Sequence, residues 1–117
     1  MKEKLEKISE EDGRYSPEAI KFVYEGLGYT VREIADEPRH VSGQTLSNGL
    51  MKLAIEKWGR LAYLVLNSWN LRTTRDFGEI VFLMIEHKWM SATETDSIDD
   101  FDNVFDFNTV FKKQFKF

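Results

Sequence analysis

The chain has 117 residues, 42% of them hydrophobic and 14% aromatic, with a formal net charge of −4 and no cysteine. That length and apolar content fit a single domain with a real core and argue against disorder over the whole chain. The acidic balance gives no help to general nucleic-acid binding, and the missing thiols exclude disulfides, thiolate chemistry and cysteine-ligated zinc or iron–sulfur sites.

Residues 1–13, MKEKLEKISEEDG, form a charged lead-in with no signal-peptide pattern. Met1, Leu5 and Ile8 fall at helical spacing, Glu3 and Lys7 make a favourable i,i+4 pair, and Asp12-Gly13 reads as a turn. A helix is predicted to open at Ser16-Pro17-Glu18, where serine can cap, proline suits the first helical position and glutamate complements the dipole. Its apolar stripe is Ala19, Phe22, Val23, Leu27, Val31 and Ile34. Gly26 and Gly28 interrupt it as sites of close packing or a kink, and Pro38 ends it.

Arg39 to Gln44 (RHVSGQ) reads as a loop entering a second helix, with Leu46, Leu50, Leu53, Ala54 and Trp58 on one face and Gly59 as its stop. A third helix is predicted from Arg60 to about Trp69. Leu61, Leu64, Val65 and Trp69 lie on one side of it, and Ala62 and Leu66 widen that face. Asn70 to Thr73 turn the chain. The fourth helix starts at Thr73 or Thr74, where Asp76 completes a capping-box spacing, and is apolar nearly all round its middle, marking it as central to the core. Its run from Ile80 to Ile85, six residues, is far too short to cross a bilayer.

After Lys88 the composition changes. No lysine or arginine occurs before Lys112, while Glu94, Asp96, Asp99, Asp100, Asp102 and Asp106 fall in that interval. Trp89-Met90 is predicted to lead into one short strand and Val104–Phe107 to be the return strand of a hairpin, with Asn108 capping a last turn. Residues 108–117 form an aromatic and basic C-terminal segment, and six of the nine phenylalanines lie in residues 101–117. The expected fold is α+β and mainly helical: four or five helices followed by a small antiparallel hairpin, in winged-helix-like order, over a single domain, 1–117.

Several stretches resemble a bacterial family of small conserved hypothetical proteins found in planctomycetes and verrucomicrobia. They are Arg14-Tyr15 with Glu18-Ala19 and Phe22-Val23; Arg39 to Gln44; Trp69 to Thr74; Asp76 to Phe82; and Asp100-Phe101 with Asp106-Phe107. The resemblance spans residues 14 to about 111 and implies a bacterial, cytoplasmic, single-domain protein. The family carries no assigned activity, so the resemblance transfers no catalytic or binding residue.

Candidate chemistry is sparse. In RHVSGQ, Ser42 capping the second helix would leave free amides beside Arg39 and His40, an arrangement suited to an anion; capping alone also explains the serine. His40 and Ser42 do not make a nucleophile pair, because residues two apart at a loop–helix junction rarely align base to hydroxyl and no orienting acid is identifiable. The acidic loop does not match an EF-hand, since the sixth position counted from Asp96 is Phe101 and not glycine. His87 is read as structural, near a helix C-terminus. Paired carboxylates, Glu79 or Glu86 with an acid of the loop, are the one enzymatic arrangement considered, and nothing else supports catalysis.

The expected function is a non-catalytic, cytoplasmic protein–protein interaction module with no cofactor and no metal, whose contact surface includes Arg39, His40, Gln44, Trp89 and Phe117. The alternative is a winged-helix nucleic-acid-binding regulator reading through Arg60, Arg72, Arg75, Lys112 and Lys113. DNA or RNA is the weaker partner class because the predicted recognition helix and wing are acidic.

Overall fold

In a computed structural model the described residues are 2–33, 41–87 and 97–113. They form five α-helices: α1 (Lys2–Asp12), α2 (Pro17–Glu33), α3 (Gly43–Trp58), α4 (Ala62–Ser68) and α5 (Thr74–Glu86). Single 3₁₀ turns cover Gly59–Leu61 and Ile98–Phe101, and a π-helical turn covers Asn108–Lys113. No helix among them is long and apolar enough to cross a membrane.

The predicted α+β, winged-helix-like fold is corrected here: among the described residues there is no strand, and so no wing. Val104–Phe107 is irregular and passes into the π-helical turn. The other half of the predicted hairpin, Trp89-Met90, lies outside the described residues. Thr74 supplies a physical reason. Its buried hydroxyl donates to the Phe101 carbonyl and accepts from the Val104 N–H at 3.2 Å, so two backbone groups near the predicted return strand are satisfied by a helix side chain. Phe101, Phe107 and Phe111 are all buried, and the Phe105 ring stacks on Phe107 at 5.6 Å and meets Phe111 edge-on at 5.8 Å. The rings of Phe105, Phe107 and Phe111 form one cluster with Phe77 of α5. Nor does Asn108 cap the last turn. Asp106 does, its carbonyl accepting from Val110 N at 3.0 Å and its carboxylate from Thr109 Oγ1 at 3.0 Å.

Local signals hold well elsewhere. Ser16 accepts from Ala19 N and Ser42 from Thr45 N, so α2 and α3 begin at serine caps. Gly59 stops α3 with φ +53°, donating its N–H back to Ile55. The lead-in docks: Leu5 and Ile8 of α1 are buried, and Gly13 at φ +80° turns the chain into α2.

The α2–α3 crossing is the tightest joint. A Cβ on Gly26 would sit 2.0 Å from Leu50 Cδ2, and one on Gly49 would sit 1.8 Å from Thr30 Oγ1. Each helix therefore contributes a glycine where the other needs room, and Thr30 satisfies its hydroxyl on the Gly26 carbonyl at 2.7 Å. Gly28 serves no such contact, since a Cβ there would meet nothing closer than the Arg32 guanidinium at 3.3 Å. The buried face of α2 is accordingly Ala19, Ile20, Phe22, Val23, Gly26 and Thr30, rotated from the predicted stripe, with Leu27 half-buried.

Candidate functional site

Two places organise the polar and apolar surface: the N-terminus of α5 and the outer face of α4. The first collects residues far apart in sequence. Asp76, in the first turn of α5, accepts from the N–H groups of Arg72 at 2.8 Å and Thr73 at 3.0 Å, closing the predicted capping box. Its other oxygen accepts from the Tyr15 hydroxyl at 2.7 Å. Burial, and then this bond to Asp76, hold the Tyr15 phenol well above its ordinary range.

One residue earlier, Arg14 joins Asp12 at 2.9 Å and Glu79 at 3.2 Å, tying the α1–α2 turn to α5. Hydrogen bonding to Asp12 raises the affinity of that guanidinium for its proton. Arg75 reaches Glu79 on its own helix and Asp99 and Asp102 on the loop, and its bond to Asp102 at 2.8 Å is the main cause of its raised pKa. Phe101 lies over Gly78, where a Cβ would come within 2.7 Å of its ring, and Asp100 covers Gly43 of α3 in the same way.

This arrangement gathers residues far apart in sequence. Arg14-Tyr15, Asp76 with Gly78 and Glu79, Thr74, and Asp100-Phe101 meet at one joint. A cleft of about 520 Å³ runs beside it, lined by Arg72, Thr73, Arg75, Asp102, Asn103 and Phe105 among others. Two of its polar side chains are engaged in holding the loop: Arg75 with Asp102, and Thr74 with loop backbone. The chemistry available there is that of a clamp, in which loop carboxylates are balanced by a helix guanidinium.

The carboxylate pair considered for catalysis is placed alike. Glu79 and Glu86 line one shallow cleft of about 340 Å³ together with Arg14, but the oxygens of Glu79 face Arg14 and Arg75. His87 ends α5 with Nε2 at 3.4 Å from Glu11 of α1, a contact between helices. Among the described residues no cluster of three or more histidine or carboxylate side chains is arranged to hold a metal ion.

The second place is α4. It follows a 3₁₀ turn and ends in a Schellman motif. Asn70 takes a left-handed φ of 63°, Leu71 N donates to the Leu66 carbonyl at 2.9 Å, and Asn70 N donates to Asn67 O at 3.0 Å. Leu66 and Leu71 are both fully buried, supplying the apolar contact that accompanies this cap. The inward face is therefore Ala62 and Leu66. Leu61 and Leu64, expected on the packed side, are 54% and 65% exposed. Trp58 and Trp69 meet edge-on at 5.4 Å and both stack near Phe22, so the tryptophans of this region belong to the core rim.

Of the predicted contact residues, Gln44 is exposed on the first turn of α3. Arg39, His40, Trp89 and Phe117 lie outside the described residues. For the nucleic-acid alternative, Arg75 is bound to three carboxylates, Arg72 donates from Nε to Asn67 Oδ1 at 3.3 Å, and Arg60 is exposed. The side chains of Lys112 and Lys113 lie outside the described ones. What the sequence reading missed is the Leu61/Leu64 ridge. No local signal marked it: Leu61 and Leu64 keep helical spacing whether or not another element covers them.

Compared with known proteins, the chain matches no family model, no curated protein and no solved structure.

Proposed function

We propose that this protein is a non-catalytic, cytoplasmic protein–protein interaction module. The observation that carries the reading is the exposure of Leu61 and Leu64. Among the described residues these are the large hydrophobic side chains turned to solvent, while Leu50, Leu66, Leu71, Phe77, Ile80 and Met84 are fully buried. Fully burying such a side chain is worth roughly 1.5–3 kcal/mol. A partner that covers both leucines gains that term from side chains already turned to solvent. The clamp at α5 is compatible with that reading, its charged groups being paired within the molecule.

The alternative, a nucleic-acid regulator, is favoured by one observation. From Lys57 to Arg75 the chain carries Lys57, Arg60, Arg72 and Arg75 and no carboxylate. One experiment separates the two: a nuclease-treated pull-down of the tagged full chain from lysate, read by mass spectrometry, alongside Leu64→Ser. A protein recovered near one-to-one by the wild type and lost by L64S supports the interaction module. Recovery of nucleic acid alone, in the untreated sample, overturns it in favour of the regulator.

A further inference from the structure

Six of the seven glycines answer to something within the chain. Gly13 and Gly59 take positive φ, and Gly26, Gly43, Gly49 and Gly78 lie where a Cβ would come within 3.0 Å of another residue. Gly28 is the exception. It sits inside α2, where glycine is the poorest helix former after proline, and a Cβ there would meet the Arg32 guanidinium of its own next turn at 3.3 Å. It lines a cleft of about 420 Å³ along α2 and α3, together with Tyr24, Glu25, Tyr29, Arg32, Leu53 and Lys57. Tyrosine and arginine are the side chains that most often anchor interfaces, and the missing Cβ lets a second helix backbone come close.

The charges on this face choose the occupant. Tyr24 and Arg32 lie one turn before and one turn after Gly28, and Glu25 lies three residues before it. Two copies crossing antiparallel at Gly28 set Arg32 of each against Glu25 and Tyr24 of the other. A parallel crossing opposes Glu25 to Glu25 and Arg32 to Arg32. Arg32 is exposed, and Tyr24, half-buried, is held by a contact within its own chain. Glu25 meets Lys57 at 3.6 Å and Lys21 at 3.9 Å in its own copy. Both distances are longer than a hydrogen bond, so its carboxylate can still accept from an incoming guanidinium. We infer that the chain forms a symmetric antiparallel dimer across this face of α2, with Gly28 on the two-fold axis and Arg32 of each copy seated against Glu25 and Tyr24 of the other. A contact built on one helix pair belongs at the small end of specific interfaces, below about 1,200 Å² in total, so the dimer is reversible.

The test is sedimentation equilibrium of the full chain from micromolar concentration to about 1 mM, with circular dichroism to follow the fold of each variant. The expected result is a reversible monomer–dimer equilibrium. Gly28→Glu, which brings two carboxylates together at the axis, should weaken it roughly tenfold or more. Glutamate is a better helix former than glycine, and R32E changes an exposed side chain, so both variants should keep the fold. E25R and R32E should each weaken the dimer alone, and an equimolar mixture of the two should regain it, because opposite charges then meet at both symmetric contacts. L64S, on a face that shares no residue with this one, should leave the dimer intact.

A chain that stays monomeric throughout overturns the proposal. So does a dimer that G28E and R32E leave unchanged, or a mixture of E25R and R32E no tighter than either variant alone. Assembly beyond the dimer overturns the two-fold arrangement. A dimer lost in L64S and kept in G28E overturns it in favour of α4. A monomeric chain whose lysate partner is captured by the wild type and lost by G28E overturns it in favour of a different protein on this face.

Discussion

Helix α5 buries Phe77, Ile80 and Met84 completely, whereas α4, just as apolar in sequence, buries Ala62 and Leu66 and turns Leu61 and Leu64 to solvent. Both helices begin beside a turn and both lie in the core-forming part of the chain. The difference is in what surrounds them. α5 is contacted by α1, α2 and α3 and by the 3₁₀ turn Ile98–Phe101, so almost every face finds a partner. α4 meets the end of α3 and the π-helical turn, and these cover one side of it. An apolar residue is interior only where a second element arrives to cover it, and α4 has fewer such elements than α5.

Four substitutions sharpen or break that contrast. Phe77→Ala removes a fully buried ring from the aromatic cluster with Phe107 and is expected to cost about 3–5 kcal/mol in urea unfolding. A loss under about 1 kcal/mol would show that α5 is not the centre of the core. Thr74→Val keeps the shape but strips the hydroxyl from between Phe101 O and Val104 N. The expected loss is about 1–3 kcal/mol, with faster amide hydrogen exchange over residues 98–107. Retained protection there would mean that the phenylalanine cluster alone holds the loop.

Tyr15→Phe is expected to cost about 1 kcal/mol at neutral pH, from the lost bond to Asp76. It carries a pH signature too. The folded protein holds the Tyr15 phenol neutral above its ordinary value of 10.0, so the unfolded chain loses that proton first. The stabilisation is complete below pH 10 and declines as pH rises beyond it. The wild type should therefore lose more stability than Y15F on going from neutral pH to above 10. Parallel pH profiles for the two proteins would break the link between the α1–α2 turn and the cap of α5. The smallest effect is expected at the contrasting site: Leu64→Ala should change stability by no more than about 0.5 kcal/mol, because its side chain already meets water. A loss of about 2 kcal/mol would place that leucine inside the core and erase the difference between the helices.

Part of the candidate site was legible in advance. The Thr73–Asp76 box and the Ser42 and Ser16 caps follow from side-chain chemistry acting within one turn of helix, and each forms as predicted. The partners of the same residues were not legible. Tyr15 meets Asp76 across 61 positions of sequence, and Arg75 meets Asp102 across 27. A spacing rule that works within one helix cannot see either pair. The predicted acidic wing failed for the same reason. Its alternation of Val104 to Phe107 was a local pattern, while the backbone there was claimed by a threonine on a helix 30 residues upstream.

By itself the sequence determined where α2, α3 and α5 start and where α3 stops, because capping, proline position and glycine termination are decided by neighbours in the chain. It also showed the phenylalanines gathered in residues 101–117, while the burial of Phe101, Phe107 and Phe111 was decided by the packing. Only the tertiary structure decided which face of each helix is inside, since that depends on which other helices arrive and from what side. It set Gly26 and Gly49 at a close crossing and balanced loop carboxylates with Arg75. It also left Leu61 and Leu64 uncovered, because covering both sides of α4 would take one more packed element than the described chain brings to it.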